Sequence, residues 1–277
     1  MRHCTPLLLA AALLATAVLQ SGQAAASPLD ADLLLGWKGS LENNDTVLHS
    51  WVPGTAPCDD PQWWEGIMCI DGNVTALLVG SMGLLGALPT SPLPPSLANL
   101  HLYNNSLSGS LDLASVPDGI QAVNLAGNAL NGSIPAEMSL PDSLLQLSLS
   151  GNALTGTIPA TLQLPANLQY LFLANNSLSG ELPTYLQLPP TLLGLDLFNN
   201  RLSGGIPPNL TEWLPEGLYY LDLHGNSLTG PLPPLNNTNA NIYVQPGNSF
   251  CGQVGSPGYY VYNPVGQSTD VTDLPPC

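Results

Sequence analysis

Between Val74 and Leu235 the apolar positions return in a fixed order, seven times over. The third copy has Ile120, Val123, Leu125, Asn128, Leu130, Gly132, Ile134 and Pro135; the fourth has Leu144, Leu147, Leu149, Asn152, Leu154, Gly156, Ile158 and Pro159. The second keeps the order through Asn105, and three later copies place Asn176, Asn200 and Asn226 at the same point. These six asparagines stand 23, 24, 24, 24 and 26 residues apart. A unit of this size cannot bury its own apolar face and must stack on its neighbours, so the pattern predicts a solenoid.

Within each copy the residues assign the local structure. Two core residues separated by one outward position, such as Leu147 and Leu149, make a short strand with one buried face, and successive copies pair these strands in parallel. The asparagine follows where the chain turns inward and leaves backbone groups buried. Its amide both donates and accepts, so the six asparagines form an internal ladder. The glycine and the Ile-Pro or Leu-Pro after it, ending at Pro89, Pro135, Pro159, Pro183, Pro207 and Pro233, predict a turn and a second small strand beside the main sheet. Pro141, Pro165, Pro189 and Pro215 stand on the convex side. A helix interior rejects proline by about 3 kcal/mol, so turns and short 3₁₀ pieces are expected there. Two copies depart from the order. The first has Met82 in the asparagine position, as expected of an edge copy under a cap, and the second has Asp112 in place of the proline, which is expected to loosen its secondary strand.

The period and the order L-x-x-L-x-L-x-x-N-x-L are the signature of leucine-rich repeats. The expected fold is a leucine-rich-repeat solenoid, mostly β within the α/β repeat class. It has a parallel concave sheet of about seven short strands, a convex side of turns and 3₁₀ pieces, a helical N-terminal cap and a disulfide-bearing C-terminal cap. The expected boundaries are 1–26 for a signal peptide, 27–73 for the N-terminal cap, 74–235 for the repeats and 236–277 for the C-terminal cap. Ser27-Pro28 can cap and start a helix whose Leu29, Leu33, Leu34, Trp37 and Leu41 are expected to lie over the first coil.

Arg2 and His3 precede an apolar run from Leu7 to Leu19, and Ala24 to Ala26 precede Ser27, the layout of a cleaved secretory signal. That run is 13 residues, short of the roughly 20 that span a bilayer. The segment from Ser256 to Cys277 is polar and proline-bearing, unlike a lipid-anchor signal. Cleavage removes Cys4 and leaves Cys58, Cys69, Cys251 and Cys277 in an oxidising compartment. They form two pairs close in sequence at opposite ends of a solenoid that holds those ends too far apart to cross-pair. Cys58–Cys69 and Cys251–Cys277 are therefore expected. No C-x-x-C and no nearby His pair accompanies them, so a zinc site is not expected.

Hydrophobic residues make up 44% of the chain, which excludes wholesale disorder, while 27 Gly and 28 Pro describe a chain of many turns. Without Arg2, the basic residues Lys38 and Arg201 face 19 acidic ones, a formal charge of 2 − 19 = −17. Such a field repels phosphate backbones and anionic headgroups, so no nucleic acid and no direct membrane insertion after signal cleavage are expected. Acidity that merely keeps an extracellular protein soluble accounts for the charge equally well.

The run Leu34 to Leu41, then Leu48 to Trp51, Pro57-Cys58, Trp64-x-Gly66-Ile67-x-Cys69 and the Asn73-Val-Thr start resemble the N-terminal cap of plant-type extracellular leucine-rich-repeat proteins. The Leu-x-Gly-x-Ile-Pro repeats and the ending Pro246 to Gly252 with Cys277 resemble the same family. The resemblance implies a module like those of receptor-like proteins, receptor-kinase ectodomains or polygalacturonase inhibitors, which bind partners through the coil surface. It implies a protein, peptide or cell-wall polysaccharide as partner, in the extracellular space, the cell wall or at the cell surface. The connections of the Leu-Pro-x-x-Leu kind depart from the helical turns usual in that family.

A structural wall glycoprotein without a defined ligand, an ectodomain fragment of a receptor-like kinase and a hydrolase are the competing readings. No nucleophile elbow, zinc-binding His pair or phosphate loop appears, so no enzyme, metal or cofactor is expected. The sequons at Asn44, Asn73, Asn104, Asn131, Asn175, Asn209 and Asn236 suit a secreted glycoprotein; Asn104 and Asn175 border the concave strand, whereas Asn131 and Asn209 lie off it. Read across the copies, the outward strand positions gather Tyr170, Phe172, Phe198 and Tyr220 with Asp196, Asp222 and His224 on repeats five to seven. Repeats three and four offer only small or polar groups there, among them Asn124 and Ser148. Exposed rings on a rigid sheet stack on sugars or peptide side chains, and adjacent carboxylates about 4.8 Å apart orient hydroxyls or a basic group. The same rings can instead shelter one another or face Tyr259, Tyr260 and Tyr262. The secreted protein is predicted to begin at Ser27, which N-terminal sequencing of the protein recovered from medium checks.

Overall fold

The computed structural model describes residues 28–59, 63–138, 140–235, 240–252, 258–261, 269–271 and 274–277; the expected signal, Ser27, Asn236 and Tyr262 lie outside them. Stacked coils build a concave sheet of 11 strands in which all but the first and last run parallel. The strand Ile67–Ile70 closes one end as an antiparallel hairpin with Asn73–Leu78, and Thr269–Asp270 closes the other against Tyr259–Val261. Leu77, Leu100, Val123, Leu147, Leu171, Leu195, Leu221 and Ile242 form one buried column through the stack. Tyr259 ends it, and its buried hydroxyl donates to the Pro233 carbonyl at 2.8 Å, the partner that such a phenol requires.

The sheet continues two strands past the seven expected repeats, through Asn241–Gln245 and Tyr259–Val261, into the region assigned to the C-terminal cap. The reason is legible in retrospect. Asn248-Ser249-Phe250-Cys251-Gly252 is another Asn-x-Leu-x-Gly copy with Phe250 in the leucine position, and Phe250 is buried.

The ladder forms. The Asn176 amide nitrogen donates to the carbonyls of Leu149 and Leu173 at 3.0 and 3.1 Å, and its oxygen accepts from the Leu154 amide at 3.0 Å. Asn105, Asn128, Asn152, Asn200 and Asn226 repeat the arrangement, each tying its own turn to the preceding coil. Asn248 adds a rung through Leu228, Leu223 and Val244. Met82 needs no amide of its own, because Asn105 accepts from the backbone of both Met82 and Leu84.

The secondary strands form two four-stranded sheets on the flank. Ser106–Ser110 pairs on both sides within one of them, so Asp112 does not loosen it. Its Oδ1 accepts the Ala114 amide at 3.0 Å, a local turn that directs the chain where proline does so elsewhere. The convex side consists of turns, several closed by single 3₁₀-type hydrogen bonds such as that from the Leu144 amide to the Pro141 carbonyl at 3.1 Å, and one α-helical turn, Leu210–Trp213. Between Pro208 and Pro215 six residues run free of proline, room enough for one helical turn.

Helix α1, Pro28–Ser40, lies over the first coil through Ala31, Leu34 and Trp37, with Leu41 following. Leu29, expected on that face, is 56% exposed, and buried Asp30 takes the inward place, accepting the Val74 amide at 3.2 Å. Trp37, Trp51 and Trp64 pack in series with centroids 6.3 and 5.3 Å apart. Lys38 is committed to this cap, donating to the carbonyls of Leu48 and Trp51. Disulfides join Cys58 to Cys69 and Cys251 to Cys277, with Cα atoms 5.9 and 4.8 Å apart.

Removing one rung leaves a buried amide and two carbonyls without partners, at roughly 1–3 kcal/mol for each unsatisfied group. Asn176→Ala is predicted to destabilise the protein by about 3 kcal/mol or more, read by chemical denaturation. Substitution of exposed Asn131 by alanine is predicted to change stability by under about 0.5 kcal/mol.

Candidate functional site

The strand register sets the concave face as columns. Phe172, Asp196, Asp222 and Tyr243 stand side by side on adjacent strands, and Tyr260 continues the row. Tyr170, Gly194, Tyr220 and Asn241 form the column on one side of them. Phe198 and His224 lie two residues further along their strands, on the other side. All seven residues singled out from the sequence are therefore neighbours. The rings form an almost unbroken surface: Tyr170 stacks on Phe172 at 5.9 Å, Phe198 on His224 at 4.8 Å with planes 4° apart, Tyr220 meets Tyr243 at 5.5 Å, and Tyr243 meets Tyr260 at 5.7 Å. Tyr219, 42% exposed, shares a hydroxyl–hydroxyl hydrogen bond of 3.2 Å with Tyr170.

Tyr243, Tyr260 and Tyr219 were not among the expected site residues. The signal for the first was present: buried Ile242 and Val244 alternate around Tyr243 just before the Asn248 copy, which places Tyr243 on the open face.

The site is less open than the sequence suggests. Phe172, Asp196, Asp222 and His224 are each less than a tenth exposed; Tyr170, Phe198, Tyr220, Tyr243 and Tyr260 are half-buried. On adjacent short strands the large rings lean over the smaller acids between them, so the aromatics roof the carboxylates instead of standing apart from them. Asp222 is fully engaged beneath that roof. Its Oδ2 accepts the Tyr220 hydroxyl at 3.0 Å, while its Oδ1 accepts the His224 amide at 3.0 Å and lies 2.5 Å from His224 Nδ1. Asp196 Oδ1 accepts the Phe198 amide at 3.1 Å.

Burial, and secondarily the Asp222 charge, push the Asp196 carboxyl up to about 7, against the opposing pull of the Phe198 amide and His224. Burial also raises Tyr220 far above an ordinary phenol, helped by Asp196, Asp222 and the proton it donates to Asp222. Repeats three and four present Asn124, Ser148 and Ser150 with no ring among them. A separate pair, His101 and Tyr103, meets edge-on at 6.5 Å in the second coil. Among the described residues no group of three His, Cys, Asp or Glu side chains is arranged to hold a metal ion. His224 is held on Asp222, so the site sets ring faces and hydrogen-bonded carboxylates side by side.

Of the sequons, Asn73, Asn104, Asn131 and Asn175 are exposed and Asn44 and Asn209 are half-buried. Asn131 lies in a secondary strand, and Asn209 stands at the start of the convex helical turn. Asn104 and Asn175 lie at the concave rim, where Asn175 Oδ1 accepts the Asn199 amide at 2.9 Å.

The leucine rich repeat N-terminal domain family matches residues 27–70, and the leucine rich repeat family matches residues 143–164, 167–188, 191–213 and 217–237. Pollen receptor-like kinase 4 of Arabidopsis thaliana is 37% identical over 99 residues, 34% of this chain and 14% of that protein. The fold is similar to that of the Arabidopsis receptor kinase HAESA in complex with the peptide hormone IDA and the co-receptor SERK1. There the TM-score is 0.64 at 31% identity, covering 82% of this chain and 43% of that one. It is similar also to the crystal structure of PEPR1-AtPEP1, with a TM-score of 0.66 at 29% identity over 82% of this chain and 32% of that one. The chain thus spans less than half the length of each of these relatives. Among the described residues no helix is long and apolar enough to cross a membrane.

The raised Asp196 carboxyl makes the folded state hold a proton that the unfolded chain has released. Its stabilising contribution is complete below the ordinary value of 3.8 and is lost as pH rises towards about 7. At about 1.4 kcal/mol per unit the loss amounts to a few kcal/mol. Asp196→Asn, which resembles the protonated carboxyl, is predicted to gain stability relative to the native protein as pH rises from 4 to 8, read by urea denaturation across that range.

Proposed function

We propose that this chain, an extracellular leucine-rich-repeat domain homologous to the ectodomains of plant leucine-rich-repeat receptor kinases, binds a peptide or a protein segment on the concave face between Tyr170 and Tyr260. The observation that carries this reading is the crowding of rings at the C-terminal end of the sheet, against one separate His101–Tyr103 pair in the second coil. Tyr170, Phe172, Phe198, Tyr220, Tyr243 and Tyr260 crowd the C-terminal coils around Asp196, Asp222 and His224, while the middle coils are small and polar. Half-buried aromatics on a rigid scaffold bind at low entropic cost, because little is left to order. The HAESA structure holds a peptide hormone, which supports a peptide as the class of ligand here.

A polysaccharide suits the site less well. Sugar rings stack on open ring faces, and Phe198 and Phe172 each have one face taken, by His224 and by Tyr170. A peptide needs side-chain clefts and hydrogen-bonding edges, which the Tyr219, Tyr220 and Tyr243 hydroxyls supply. The acting compartment is the extracellular space or the cell surface, where the disulfides persist.

The test is selection of a random dodecapeptide library on the immobilised full chain. Phe198→Ala and Tyr243→Ala are each predicted to weaken the selected peptides by about 1–3 kcal/mol without unfolding the protein, while Ser150→Ala leaves binding unchanged. Peptides that bind undiminished to the Phe198→Ala, Tyr243→Ala double variant, or that lose binding on Ser150→Ala instead, defeat the reading.

A further inference from the structure

Asp196 is the one carboxylate of the site whose hydrogen bonding is incomplete. The side chain is 7% exposed and its Oδ1 accepts the Phe198 amide, yet no donor among the described residues reaches Oδ2. A buried carboxylate oxygen without a donor carries the full desolvation cost of that lone pair. Among the described residues no Lys or Arg stands on the strands around it. Lys38 is held by the N-terminal cap and Arg201 is exposed on a secondary strand. His224 is engaged by Asp222.

The same strand presents no side chain beside this acid. Gly194 stands in the column between Tyr170 and Tyr220, and its φ lies outside the left-handed region, so the backbone does not require glycine there. A Cβ at Gly194 would lie 3.1 Å from Tyr170 Cδ1 and 3.9 Å from Tyr220 Cδ1. The Tyr170 ring lies against Gly194 and Tyr220 stands on its other side, so two phenol rings flank the buried acid.

Resting on the reading of this face as a peptide-binding surface, we infer that Asp196, flanked by Tyr170 and Tyr220 across Gly194, is a subsite for a basic side chain of the ligand, with Asp222 adding to the negative field. Arginine fits best, since its planar guanidinium pairs with a carboxylate edge-on and stacks on aromatic faces. An acidic ligand group suits the place poorly, because Asp196 and Asp222 repel it. The groups facing Asp196 are Asp222, Tyr220 and His224 on one neighbouring strand, Tyr170 and Phe172 on the other, and Phe198 on its own. The Asp196 carboxyl is protonated in acid, so affinity for a cation rises with pH through about 7.

The probe is acetyl-Gly-Arg-Gly-amide, compared by calorimetry on the full chain with the same peptide carrying citrulline, the uncharged isostere. The arginine peptide is expected to bind about tenfold or more tightly than the citrulline peptide at pH 8, and less tightly at pH 5. Asp196→Asn and, independently, Gly194→Val are each expected to weaken it about tenfold. Asp118→Asn, which removes an exposed convex charge, leaves it within about twofold. Equal binding of the two peptides, no detectable binding of the arginine peptide at millimolar concentration, or equal losses from Asp118→Asn and Asp196→Asn each overturn the subsite. Library peptides that bind the Phe198 and Tyr243 face but are not enriched in basic residues overturn the subsite and leave the peptide-binding reading intact. A library without binders to that face overturns both.

Discussion

Every coil of this solenoid must turn its backbone inward after the concave strand, and the carbonyls and amides at that turn are beyond the reach of water. The asparagine ladder meets that constraint. Each amide serves its own turn and the preceding coil together, as Asn176 does with Leu173, Leu149 and Leu154, so a rung is at once a local turn and an inter-coil bond. Leucines alone would fill the core but would leave those groups unpaired, and the loss would recur with every repeat. The edge copy shows the economy of the device: it has Met82 and borrows Asn105.

The concave face follows from the ladder. Because the rungs hold successive strands in one register, outward side chains are laid down in columns, and a residue's neighbours are set by its place in the repeat rather than by its distance in sequence. Asp196 and Asp222 become adjacent in this way although they lie in different coils, as do Tyr170 and Tyr220 on either side of Gly194. Rings placed on adjacent rows then lean together, and their mutual packing buries the acids beneath them. Apolar shelter and negative charge are thus brought together in one place, the condition that raises Asp196.

The two ends solve the exposure of the core differently. At the start, helix α1, three packed tryptophans and the Cys58–Cys69 bond close the stack with a dedicated cap. At the other end the stack does not stop where the leucines stop. It carries its ladder to Asn248 and its sheet to Tyr259–Val261 before the antiparallel Thr269–Asp270 strand and the Cys251–Cys277 bond end it. The site lies against this end, so the closing coils contribute Tyr243 and Tyr260 to it.

The sequence by itself determined the repeat, its period, the inward leucines, the six asparagine rungs and the column in which each outward residue falls, because a period-two strand inside a fixed repeat leaves no freedom in those assignments. It brought Tyr170, Phe172, Phe198, Tyr220, Asp196, Asp222 and His224 to one place for the same reason. Where the motif changed its lettering, as at Phe250 for leucine or Asp112 for proline, the sequence misled, since a different side chain met the same backbone need. Only the tertiary structure decided how far each outward group reaches water: Phe172 and the two aspartates proved buried and Leu29 exposed. That outcome depends on which rotamers neighbouring strands leave available and on how a helix turns about its axis, contacts between residues some 24 or more positions apart that no periodicity encodes.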